Sequence, residues 1–200
     1  MPGLAEFLAG PVLEVAPRLL GAVLSHETDE GSVAVRLTEV EAYAGDQDPG
    51  SHAFRGPTRR NEVMFGPPGH LYVYFTYGMH FCCNVVIGTE GHASALLLRA
   101  GEVVDGIELA RVRRGSARDR DLARGPARLC SALGIDLSHN GLDLRSGGAL
   151  TLHPRDQPHP AEHISTGPRV GLRQAADHPW RFWLTDEATV SAYRPAKKLI

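Results

Sequence analysis

The sequence predicts an α+β fold: one domain, residues 1–200, built on a curved antiparallel β-sheet with a protruding β-hairpin and helices around it. Three observations carry that expectation. Ser32–Tyr43 alternates with the period of a half-buried strand, which sets Val33, Val35, Leu37, Glu39, Glu41 and Tyr43 on one face. Two apolar runs, His70–Thr76 and His80–Ile87, are separated only by Tyr77-Gly78-Met79, the pattern of a hairpin with glycine in its turn. The helical segments do not alternate regularly with strands, which argues against a parallel α/β fold. Two hundred residues with 42% hydrophobic content are enough for one compact core.

In chain order, a helix is predicted over roughly Pro11–Leu24, from apolar Val12, Leu13, Val15, Leu19, Leu20 and Val23. On the strand that follows, the first half of the face is apolar and the second half acidic and aromatic, as in a strand leaving a core for a functional cleft. Residues 44–69 form a loop rich in Gly, Pro and Arg, and loops of that length inside a compact domain are functional or disordered. After the hairpin come a strand at Ser94–Arg99 and a helix near Asp105–Arg114 that stops at Gly115. A second helix takes Pro126 into its first turn and stops at Gly134. Strands near Ala149–His153, Pro168–Leu172 and Trp180–Leu184 complete the chain, and the Pro- and His-rich stretch His153–His163 is expected to be its most flexible part.

The formal charge of −2 lacks the global basic signature of a nucleic-acid binder. The positive charge is almost all arginine, because the only lysines are Lys197 and Lys198. Arg111, Arg113, Arg114, Arg118, Arg120, Arg124 and Arg128 build either a local positive face or a solvated helix interspersed with Glu108, Asp119 and Asp121. Cys82, Cys83 and Cys130 lack C-x-x-C spacing, so they read as core or strand thiols of a reducing compartment, with neither a disulfide framework nor a zinc site. His159 and His163 have i,i+4 spacing, but Pro158 and Pro160 spoil a helix there and no carboxylate pair flanks them. No metal or other cofactor is expected. The first residues lack a signal-peptide pattern, and no stretch approaches about 18 apolar residues. A soluble cytoplasmic protein with no membrane association is the expectation.

Glu41 and Tyr43 lie two apart on one strand and so point the same way. That pairing sets a carboxylate able to act as a general base beside an aromatic face able to stack a planar ring. Tyr72 and Tyr74 share a face of the hairpin, and His80, Cys82 and Asn84 share a face of its returning strand. Tyr77, next to Gly78 at the turn, either folds back on the sheet or projects as a wedge that fills the hole left by a flipped nucleotide.

The runs EVEAYAG (Glu39–Gly45), SHAFRG (Ser51–Gly56), MFGPPGHLYVYFTYGMHFCCNVV (Met64–Val86), LLLRA (Leu96–Ala100) and GPARLCSALGI (Gly125–Ile135) stand in one order, followed by PRVGL (Pro168–Leu172) and WRFWL (Trp180–Leu184). On these motifs the chain resembles the alkyladenine, or 3-methyladenine, DNA glycosylase family from roughly Leu4 to Val190. The resemblance implies a monofunctional enzyme of base excision repair that flips alkylated or deaminated purines out of duplex DNA and hydrolyses the N-glycosidic bond. It implies that Glu41 activates the attacking water, helped by Arg99 and a backbone carbonyl of the RVG run, that of Val170. Tyr43 and His52 would sandwich the flipped base, with Tyr74 against its edge. Tyr77 would intercalate. Asn84 would crowd the 2-amino group of guanine.

The partner implied is double-stranded DNA containing damaged purines, bound by a monomer. Glu39 shares the strand face of Glu41 but lies outside the water-activating position, so its loss should matter far less. His80 departs from the aromatic ring that the family often carries there, and Cys83 from the bulkier apolar residue of vertebrate relatives. A glycosylase/lyase would need an amine nucleophile, for which only Lys197, Lys198 and a processed Pro2 are available. A non-catalytic nucleic-acid-binding domain of the same fold would not need Glu41, Arg99 and Asn84 together with a stacking pair.

Overall fold

A computed structural model describes residues 3–196; Pro2, Lys197 and Lys198 lie outside the described residues. Among them, helices α1 (Leu4–Leu8), α2 (Val12–Leu19), α3 (Ile107–Arg114) and α4 (Pro126–Leu133) accompany strands β1 (Val23–Thr28), β2 (Gly31–Tyr43), β3 (Leu71–Thr76), β4 (His80–Ile87), β5 (Ser94–Asp105), β6 (Leu150–His153), β7 (Ile164–Gly167) and β8 (Arg181–Leu184). The strands form one eight-stranded sheet in the order β3-β4-β5-β2-β1-β6, with β8 joining β2 and β7. Every pairing is antiparallel. The architecture is α+β, as the sequence predicts.

Two elements differ from expectation. The helix predicted to Leu24 ends at Leu19, because Gly21 takes a left-handed φ of 80° and turns the chain. Its last predicted turn becomes β1, which closes a hairpin with β2 across the Thr28–Gly31 pair. The predicted strand at Pro168–Leu172 is a turn instead; Pro168 brings no N–H to a ladder, and Gly171 sits at φ 73°. The neighbouring strand is β7, just before it. Between β6 and β7 the chain is irregular apart from a 3-10 turn at Ala161–His163.

β2 is the organising strand. One edge pairs with β5 along most of its length, while the other pairs first with β1 and then, at Glu39–Glu41, with β8. The β2–β5 register runs Leu37↔Gly101, Glu39↔Ala100, Val40↔Leu98, which leaves Thr38 extra on β2 and Arg99 extra on β5. A one-residue bulge exchanges the two faces of a strand. Val33, Val35 and Leu37 therefore pack in the core beneath α2 and α4. After the bulge, Val40 and Ala42 hold that core position. Glu39, Glu41 and Tyr43 are delivered to the opposite face. The single face read from the alternation is thus two faces joined at Thr38. Gly101 is required beside it, since a Cβ there would lie 2.3 Å from Val35 Cγ1 and 2.5 Å from the Arg36 carbonyl.

On that opposite face a smaller apolar cluster of Met64, Tyr72, Val86 and Ala95 is covered by the long loop after β2. The loop is ordered by two buried side chains. Asp48 accepts from the N–H groups of Ala44 (3.2 Å) and Gly50 (2.9 Å). Asn61 donates to the carbonyls of His52 (2.9 Å) and Gly56 (3.1 Å) and accepts from Thr58 N–H (2.6 Å). The loop thereby becomes a fixed wall. No helix among the described residues is long and apolar enough to cross a membrane.

Candidate active site

The second face of β2, the hairpin, the covering loop and the turn after β7 enclose a cavity of about 700 Å³. Glu41, Arg99, Val170, Tyr43, His52, Tyr74, Asn84 and Tyr77 all line it. The sequence-predicted residues, scattered over 130 positions of chain, are brought to one place.

Glu41 is fully buried. Its Oε2 accepts from the Tyr43 hydroxyl at 2.9 Å, and its Oε1 from the Val170 N–H at 2.7 Å. Arg99 Nε stands 3.5 Å from Oε1. The contact the structure places between Val170 and Glu41 is therefore made by the amide N–H. Burial and the adjacent Glu41 carboxylate raise the Tyr43 phenol well above its ordinary range, which keeps it a proton-bearing donor.

Glu39 is equally buried, with a role of its own. Its carboxylate accepts from Arg181 Nε (2.5 Å), Ser191 N–H (2.7 Å) and the Ser191 hydroxyl (3.0 Å). Arg99 Nε lies 3.1 Å from it. Glu39 is the counter-ion that fixes Arg99, and no inert neighbour of Glu41. The bulge at Arg99 aims the guanidinium between the two carboxylates.

A second buried ion pair backs Tyr43. Arg169 is 1% exposed and grips Asp48 with both terminal nitrogens (2.5 and 2.7 Å), while Nη1 also donates to the Ala42 carbonyl at 2.9 Å. Its guanidinium stacks 4.6 Å from the Tyr43 ring centre and 5.1 Å from that of Trp180. Burial pushes the Asp48 carboxyl up, but Arg169 and two backbone N–H groups more than offset it and hold it below the usual carboxylate range. This pair links three parts of the site: the Tyr43 ring, the loop bearing His52, and the turn bearing Val170.

The opposite wall is aromatic. Tyr72 and Tyr74 are stacked at 5.5 Å with planes 28° apart, and His52 meets Tyr74 edge-on at 4.6 Å. His52 Nδ1 lies 3.2 Å from the Tyr72 hydroxyl. Burial, with Arg60 nearby, lowers the His52 pKa, so the ring is neutral at pH 7. Asn84 lies directly opposite Tyr72 in the hairpin, and its Nδ2 donates to the Tyr72 carbonyl at 3.2 Å. Cys82 also lines the cavity, its thiol pushed up to about 11 by burial.

Tyr77 does not fold back on the sheet. It is 88% exposed at the hairpin tip, with φ at 51° beside Gly78 at 68°. A left-handed non-glycine residue costs about 1–2 kcal/mol. The turn bears that cost with the aromatic ring out in solvent at the rim of the cavity.

Sequence reasoning missed Asp48, Arg169, Arg181 and Ser191. Asp48 carried a local sign as the aspartate of an Asp-Pro-Gly turn, and Arg169 and Arg181 stand in the PRVGL and WRFWL runs, where no role was read for them.

The model of the methylpurine-DNA glycosylase family matches residues 6–188. A protein of Streptomyces avermitilis is 58% identical over 193 residues, covering 94% of this chain and 90% of its own. One of Leifsonia xyli is 57% identical over 202 residues, covering 96% and 92%. One of Mycobacterium tuberculosis is 46% identical over 200 residues, covering 97% and 95%. Each is named, provisionally, a 3-methyladenine DNA glycosylase. With a family match across almost the whole chain and a buried carboxylate in an aromatic cavity, this protein belongs to the methylpurine-DNA glycosylase family.

Proposed function

We propose that this DNA glycosylase flips alkylated or deaminated purines, of the 3-methyladenine, 7-methylguanine, hypoxanthine and ethenoadenine class, into the cavity and hydrolyses their N-glycosidic bond with a water activated by Glu41. The base stacks between Tyr43 and His52 with Tyr74 at its edge, and Tyr77 fills the gap left in the duplex. A water between Glu41, Arg99 and the Val170 carbonyl attacks C1′ of the sugar and gives its proton to Glu41. The C1′–N bond breaks with its electron pair going to the purine. In a ring alkylated at N3 or N7 that pair neutralises the positive charge already present. A neutral purine such as hypoxanthine takes up a proton from solvent water as it departs. The Glu41 charge also opposes the positive charge that develops on the sugar.

The observation that carries this reading is the environment of Glu41: a fully buried carboxylate held by Tyr43 and Val170 that lines a cavity walled by aromatic rings. Asn84 on the cavity wall supports exclusion of guanine, whose 2-amino group would collide with it. Glu41→Gln keeps shape while losing charge and basicity, so it should abolish base release from a hypoxanthine duplex and retain lesion binding. Release at near the wild-type rate would remove Glu41 from the mechanism.

A further inference from the structure

The arginines that the sequence left between two readings are sorted by the fold. Arg111 is paired with Glu108 and Asp119, and Arg113 with Glu30. The others converge on one carboxylate: Arg118, Arg120, Arg124 and Arg128 stand 2.8, 3.9, 3.4 and 3.9 Å from Asp121. Arg114 joins them through its Nε on the Leu122 carbonyl at 2.9 Å. Burial and the charge of Arg128 lower its pKa. Arg114, Arg118, Arg124, Arg128 and Arg194 line a second cavity of about 610 Å³ in which Asp121 is the single acid.

Two further features bear on what this cavity holds. The start of α4 opens beside it: Gly125 supplies no side-chain cap, sits at φ 126°, and is followed by Pro126 in the first turn. A helix start with uncapped N–H groups attracts anions. The cavity also shares Arg99, Val170 and Arg194 as walls with the cavity of the flipped base. In a chain of net charge −2, so many guanidinium groups around one carboxylate make a local positive field that attracts an anion.

We propose that this arginine-walled groove binds a backbone phosphate of the DNA strand that carries the flipped nucleotide, and that Asp121 is its resident counter-ion. The inference rests on the reading of the adjacent cavity as the base site. Asp121 holds the guanidinium groups converged while no DNA is bound and competes with the phosphate for them. A diester anion then accepts the same fork-shaped donors, which suit phosphate as they suit carboxylate.

The roles have opposite signs. Arg118→Gln and Arg128→Gln should each weaken binding of the full chain to an undamaged duplex and lower the salt slope of log K by up to about 0.9, the value for one phosphate. Asp121→Asn should tighten binding several-fold. The Arg118 and Arg128 side chains are 71% and 49% exposed, so these variants keep the test open if Asp121→Asn does not fold. Wild-type slopes in both arginine variants would overturn the assignment, as would a folded Asp121→Asn that binds no more tightly. If the wild-type protein releases hypoxanthine while those slopes stay unchanged, the groove assignment alone fails. If the chain binds no duplex at any salt concentration, the base-site reading fails with it.

Discussion

Replacing Glu39 by alanine removes the carboxylate that neutralises two buried guanidinium groups. Arg181 is 4% exposed and Arg99 8%, so neither can recover hydration by a small movement. Breaking one side of a buried ion pair costs about 3–5 kcal/mol, mostly from the charge left behind. In a domain of this size each kcal/mol moves the melting temperature by about 2–4 °C, so Glu39→Ala should melt roughly 6–20 °C lower. Glu39→Gln keeps an acceptor for the Ser191 N–H and should lose less. Activity should fall in both, because Arg99, freed from Glu39, closes on Glu41 and occupies the oxygen that the water needs. A drop of at least about tenfold in single-turnover base release, equal to about 1.4 kcal/mol of barrier, is expected below the melting range. Thermal melts and single-turnover hypoxanthine release measure the two effects separately. A Glu39→Ala protein that melts within about 2 °C of wild type and keeps its rate would refute the argument that Glu39 fixes Arg99.

Tyr77→Ala should weaken binding to a lesion duplex by about 1–3 kcal/mol, and less on mismatched substrate where unstacking is cheap. Tyr77→Gly should weaken it similarly yet raise the melting temperature, because the left-handed strain is relieved; a lower melting temperature would mean that Tyr77 packs on the fold. Asn84→Ala should raise the ratio of guanine to hypoxanthine release from matched duplexes, and an unchanged ratio would leave cavity shape as the only discriminator. Asp48 has a lowered folded pKa, so its contribution to stability is present above the unfolded value of about 3.9 and is lost as pH falls through the folded one. Asp48→Asn should therefore be destabilised at pH 7 and lose less further stability on acidification below about pH 4, which melts across pH would reveal. EDTA should leave base release unaffected, since hydrolysis by Glu41 needs no Lewis acid; activity restored by added Mg²⁺ or Zn²⁺ would reject the mechanism.

What could be read from the sequence was local. The hairpin, the Gly115 and Gly134 stops and Pro126 in the first turn of α4 all depend on neighbours within a few residues, and the structure has them there, as it has a strand at β2. Glu41, Tyr43, His52, Tyr74, Asn84 and Arg99 could be singled out because the runs that hold them resemble the family's motifs, and all of them line one cavity. The exchange of faces at Thr38 was not, since a bulge belongs to the register of two strands and leaves the composition of either one unchanged. β1 was hidden because Val23 continues the helical period of Leu19 and Leu20 past Gly21, and the left-handed turn at Gly21 together with the pairing of β1 with β2 and β6 overrides it. The Asp48–Arg169 pair spans 121 positions of chain, so neither residue announces the other.

Three acids and three arginines, Glu39, Glu41, Asp48, Arg99, Arg169 and Arg181, are each no more than 8% exposed around the second half of β2. Burying ions costs several kcal/mol apiece, and well-packed apolar residues would stabilise a fold at least as well. The arrangement makes sense through the difference among its acids. Asp48 is gripped on both oxygens by Arg169, and Glu39 accepts on both from Arg181 and Ser191, so their lone pairs are committed. Glu41 has neutral donors, the Tyr43 hydroxyl and the Val170 N–H, with its nearest cation at 3.5 Å. A carboxylate offers about four lone-pair sites, which leaves Glu41 room for a water on the cavity side. The two tight ion pairs hold the arginines, the loop and the turn, and Glu41, whose nearest cation stands at 3.5 Å, keeps acceptor capacity toward the cavity, which supports the proposal that it takes the proton of the attacking water.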